Sequence, residues 1–254
     1  MVLLLQGIVG NPECILASDS QTSGVVRGQV IWRGEVPDPV LLPVDRDGHV
    51  CGRGGRIQVS TLRRHPGTGG LQGAVVTMTP ESGSPRSGDR FRAPATGVMI
   101  LETCLLRPNL VAVRPGGNLS FFAADSGAND LRLDGPGGTV RRIELGMALA
   151  RHSVRLDRPG VWQVTTPGRP FARSHVLVTD APYVTVTDSR GSWSFSEVPA
   201  GRWRVRAFHT PVRWEAVRHT GRVIAYETEP LLESTRVITV GREARANVLL
   251  EMSQ

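Results

Sequence analysis

The sequence contains no lysine. All 30 of its basic residues are arginine, and against 23 acidic residues they leave a net charge of +7. A nucleic-acid binder gathers its basic residues along one face. Here arginine is scattered through the chain, densest at Arg141–Arg142 and at Arg202, Arg204 and Arg206. The second group alternates with Trp203 and Val205, as the outer face of a strand does. The pattern reads as a coding bias on a solvated surface, with an anion-binding face as the alternative. Nucleic acid is not an expected partner.

Long apolar runs are also missing. Residues 1–10 are apolar but carry no basic flank, and Asn11, Pro12 and Glu13 interrupt them. An export signal needs the charge and a longer apolar stretch, and Cys14 lacks the preceding leucine of a lipoprotein site. Residues 1–23 are read as an N-terminal tail or a poor export signal. No other segment reaches the length of a membrane span. Cysteine is scarce, at three: Cys14, Cys51 and Cys104. One disulfide between Cys51 and Cys104 is allowed, with Cys14 free or removed. Three reduced thiols are the alternative, and spacing does not separate the two.

Sustained helical periodicity is absent too, and 29 glycines with 18 prolines point to strands and turns. Alternating runs predict strands at 24–33, 73–79, 98–102, 110–113, 118–123, 153–156, 160–165, 175–179, 184–187, 192–195, 202–208, 234–240 and 244–251. Residues 80–97 read as a loop or linker, and 140–151 as a short helix or another strand. The expected class is all-β throughout.

Catalytic signals are weak. There is no Gly-x-Ser-x-Gly, no phosphate-binding loop and no His-Glu-x-x-His. Asp45 with Asp47, and Glu227 with Glu229, are close in sequence, as surface carboxylates often are. His65 and His219 fall in loops, His209 at a strand end, and His49 two residues before Cys51. No enzyme is expected.

The stretch Thr187-Asp-Ser-Arg-Gly-Ser-Trp-Ser-Phe195, followed by Val198-Pro-Ala-Gly-Arg-Trp-Arg-Val205, resembles the carboxypeptidase-regulatory-like family of transthyretin-type sandwiches. Asp188 and Gly191 suit a tight turn, and Pro199 and Gly201 the next one. Strands like Val26–Trp32 and Ala74–Met78 normally open that family. The resemblance implies one discontinuous sandwich, residues 24–85 plus 183–253, around an inserted domain at 98–182. Three sequential β units are the alternative.

The inserted region resembles the cupredoxins. Cys104-Leu-Leu-Arg-Pro108, Val111-Ala-Val-Arg-Pro-Gly116, Ser120–Asp125, Leu156–Trp162 and Val176–Tyr183 carry the likeness, which implies a plastocyanin-type Greek-key sandwich. Residues 47–52 also resemble a segment found upstream in such proteins, a match that favours pairing Cys51 with Cys104 and stapling the two units together. A type-1 copper site needs two histidines, a cysteine thiolate and usually a weak axial methionine. By ungapped alignment those places fall at Asn129, Thr166, Arg169 and Ala172, none able to rebuild the site. Pro170 and Arg173 still match and support the register.

The resemblance thus implies a copper-free, exported binding or structural module, periplasmic or extracellular, without a cofactor. Its partner would be an envelope protein or a surface polymer, met through Arg169 and Arg173. The alternative is a copper-binding or electron-transfer protein with an unconventional site, which requires Met147, His152 and His175 to converge.

Overall fold

The computed structural model describes residues 23–44, 48–52, 55–59, 62–81, 93–124, 130–146, 149–213, 215–227 and 230–254. The chain begins with β1 (Ser23–Trp32), β2 (Val40–Pro43), a helical turn α1 (Gly48–Cys51), β3 (Arg56–Val59) and β4 (Val75–Pro80). There follow β5 (Thr96–Glu102), β6 (Leu105–Arg107), β7 (Leu110–Val113), β8 (Gly117–Ala123), β9 (Asp130–Gly135), β10 (Thr139–Glu144), β11 (Arg151–Leu156), β12 (Gly160–Thr166) and β13 (Arg169–Val178). The last stretch holds β14 (Tyr183–Val186), β15 (Ser192–Pro199), β16 (Gly201–His209), β17 (Glu215–His219), β18 (Arg222–Glu227), β19 (Leu232–Val240) and β20 (Arg245–Met252). The all-β class is correct. Residues 139–144, open between helix and strand in the sequence, are a strand. No helix among the described residues is long and apolar enough to cross a membrane.

These strands build two sandwiches. In the first, the sheet β10-β9-β12-β13-β7 faces the sheet β11-β8-β5-β6. Strict alternation explains its core: Met99 and Leu101 on β5, Leu119 and Phe121 on β8, and Leu131 and Leu133 on β9 turn inward around Trp162. In the second, β15-β1-β20 faces β14-β4-β16-β19. Its core gathers Val26, Val30, Met78, Trp193, Phe195, Trp203 and Leu250. Strands from either side of the first sandwich therefore share this second one, and β4 pairs directly with β14, Met78 opposite Tyr183.

Each sandwich seats a tryptophan against a strand glycine. A Cβ on Gly28 would run into the Trp193 ring, and one on Gly135 into the Trp162 ring. Trp162 and Trp203 also share a turn device. Each lies two residues after a turn glycine, and its indole N–H donates to the carbonyl four residues back, Arg158 or Pro199, at 3.0 Å.

Two excursions leave the second sandwich and pack on the first. The ribbon β2–β3 contributes Leu42, Ile57 and Val59 to the first core, beside Cys51. The hairpin β17–β18 contributes Tyr226, with Val223 against it. A third cluster, Val75, Leu110, Ala112, Leu177 and Phe208, joins the two sandwiches face to face.

Candidate functional site

The region to which the copper ligands were aligned is a tight hairpin. Thr166 ends β12, Pro167 and Gly168 make the turn, and Arg169 opens β13, directly opposite Thr166. Gly168 takes a φ of 82°, which the third position of a Pro-Gly type II turn requires. Ala172 follows within the strand and is fully buried in the first core. Three of the four aligned positions are therefore strand residues rather than members of an open ligand loop. Asn129 lies outside the described residues.

Thr166 is buried and its hydroxyl has no partner among the described residues. Arg169 is only 3% exposed. Arg173 is half-buried, and its guanidinium donates to the Tyr226 carbonyl of the β17–β18 hairpin. Burial lowers its pKa to about 10, and the nearby Tyr226 partly opposes that shift. The two arginines expected to form a binding pair are thus not laid side by side in solvent. One is internal and the other is covered by a hairpin from some fifty residues further along the chain.

The alternative ligand set does not assemble. His152 is exposed on β11 of the four-stranded sheet, while His175 is buried on β13 of the five-stranded sheet. Met147 lies outside the described residues. No group of three or more His, Cys, Asp or Glu able to hold a metal occurs among the described residues. His175 is pushed down to about 4, first by burial and then by the Arg173 charge. His209 is also pushed to about 4 by burial, although its bond to the Thr210 carbonyl favours the proton. His65 accepts from the Thr68 amide in a turn, and His219 is exposed. Cys14, Asp45, Asp47 and Glu229, and the side chains of His49 and Glu227, are outside the described residues.

Cys51 and Cys104 form a disulfide with a Cα–Cα distance of 5.1 Å. Both are buried within the first core, so the bond ties α1 to the turn between β5 and β6 rather than joining the two sandwiches. It also uses both thiols that a metal site in this core would draw on. Elsewhere, an open groove of about 780 Å³ crosses the three-stranded sheet, with Arg27, Gln29, Ser192, Ser194, Asn247 and Arg236 among its polar lining.

Known structures similar to the chain include an amicyanin mutant in its Cu(I) form, with a TM-score of 0.31 and 16% identity over 41% of this chain and 99% of that one. The copper-containing nitrite reductase from Thermus scotoductus SA-01 gives a TM-score of 0.32 and 14% identity over 38% of this chain and 25% of that one. No protein-family profile matches the sequence. No curated protein matches it either.

Proposed function

We propose that the protein is a non-enzymatic, exported β-sandwich module of the cell envelope, and that its first sandwich is a cupredoxin-like unit working without copper. It would bind or brace an envelope protein or a surface polymer, next to a second sandwich of the carboxypeptidase-regulatory-like type. One observation carries the reading. The positions aligned with the thiolate, the second histidine and the methionine hold Thr166, Arg169 and Ala172, inside a closed hairpin that the chain's own β17–β18 arm covers. A permanently charged guanidinium opposes a cation at that place. The disulfide suits an oxidising compartment, and the open polar groove offers hydrogen-bonding groups to an extended chain.

Copper titration of the purified, tag-free protein tests this, read by elemental analysis and optical absorption. The expected result is no stoichiometric copper and no thiolate-to-copper charge-transfer band. Tight one-to-one copper with that band would overturn the reading and put electron transfer or copper delivery in its place.

A further inference from the structure

A second, smaller cavity of about 190 Å³ lies where the two sandwiches meet. The second sandwich lines it with Arg63, Gln72, Gly73, His209 and Thr210, and the first with residues 107–110, from the end of β6 to the start of β7. Two arginines, Arg63 and Arg107, line this one space, and no Asp or Glu is among its lining residues. Neither arginine forms a salt bridge among the described residues.

Arg107 titrates below its ordinary value, first because it is half-buried and next because Arg63 is a like charge, with Glu102 acting in the opposite sense. Folding therefore brings two like charges to one space, with Glu102 offsetting part of the charge on Arg107 from outside the cavity lining, and an anion between them would offset more.

The polar groups beside them are also incomplete. Thr210 is only 5% exposed, and its hydroxyl has no hydrogen-bond partner among the described residues. Buried hydroxyls are nearly always bonded, so an orphan next to a cavity marks a missing acceptor or donor. His209 is buried, and its Nδ1 lies 2.8 Å from the Thr210 carbonyl. A carbonyl only accepts, so Nδ1 carries the proton, and the neutral ring keeps Nε2 as an acceptor.

We propose that this inter-sandwich cavity binds a small oxyanion, a phosphate, sulfate or carboxylate group, held between Arg63 and Arg107 with Thr210 as a further hydrogen-bonding group. Guanidinium forks match such oxyanions geometrically. The site spans both sandwiches, so an occupant would also pin them together. It is independent of what happens at the hairpin of Thr166 and Arg169.

The test uses the full chain at constant ionic strength, titrated separately with inorganic phosphate, sulfate and acetate, and followed by calorimetry and by the shift in melting temperature. Saturable one-to-one binding of at least one anion is expected, weakened at least tenfold by Arg107→Gln and by Arg63→Gln. Arg132→Gln, on the exposed Arg132–Asp134 pair, should change affinity less than twofold. Binding of phosphate or sulfate without acetate assigns the site to tetrahedral oxyanions, and acetate alone assigns it to carboxylates. The anion-free Arg107→Gln protein should melt no lower than the parent, because the substitution removes a half-buried charge that Arg63 repels. Arg63 is exposed, so its variant keeps the test readable if Arg107→Gln fails to fold. No saturable binding of any of the three, or equal binding by all the arginine variants, would overturn the proposal.

Discussion

Two histidines give the molecule its sharpest single-residue dependence on pH. His175 and His209 are buried near the junction of the sandwiches and titrate at about 4. In the unfolded chain each returns to roughly 6.5. At neutral pH the folded state holds no proton on either ring and the unfolded chain only a minor fraction, so the effect of the shifts is small. As pH falls below 6.5 the unfolded chain takes up protons that the folded one refuses, so stability declines until about pH 4 and then levels. The full loss is on the order of 3 kcal/mol for each histidine. Urea unfolding at pH 7 and pH 4.5 should show a smaller pH-dependent loss for His175→Gln and His209→Gln than for the parent. The strand glycines act through packing instead. Gly135→Ala or Gly28→Ala drives a methyl into a core tryptophan ring. Each should cost roughly 1–3 kcal/mol by denaturant titration, with Trp162 or Trp193 fluorescence altered.

Among the elements, the disulfide closes a segment of 53 residues in sequence separation. In the chain-entropy picture this is worth about 4 kcal/mol, and measured values for native bonds run at roughly 2–5. The Cys51→Ser/Cys104→Ser double variant should unfold at a correspondingly lower urea concentration, and reductant should then have no further effect on it. The same elements show what a sequence can and cannot reveal. Strands such as β5, β8 and β20 alternate cleanly and were legible. So was the turn at Asp188, whose carboxylate accepts from the Arg190 and Ser192 amides while Gly191 takes a φ of 74°. β9 carried a readable signal, Leu131 and Leu133 between polar neighbours, that the strand prediction missed. β2, β3 and β6 have four residues or fewer, too short for a period to register. The register of Thr166, Arg169 and Ala172 came from motif likeness. The burial of Arg169 did not, because charge alone predicts solvent. The cover on Arg173 comes from Tyr226, and nothing in the sequence near either residue links them.

In the whole molecule, the two sandwiches are held by more than the chain that connects them. The apolar cluster of Val75, Leu110, Ala112, Leu177 and Phe208 seals one contact. The β2–β3 ribbon and the β17–β18 arm cross from one unit to the core of the other. This interlocking explains why the first core cannot be read from residues 98–182 alone. Scanning calorimetry should therefore show one transition for the pair, with calorimetric and van't Hoff enthalpies equal, where two independent domains would give two.

The pairing of β1 with β20 has a mechanical meaning. The two strands run parallel, from Val25 beside Arg245 to Trp32 beside Met252. The start of β1 and the end of β20 therefore sit at opposite ends of one ladder. A pull applied at Ser23 and Met252 loads its hydrogen bonds in shear, so that they resist together rather than opening one by one like a zipper. Tension passes straight across this ladder, and the first sandwich, enclosed between β4 and β14, stays slack until the ladder gives way.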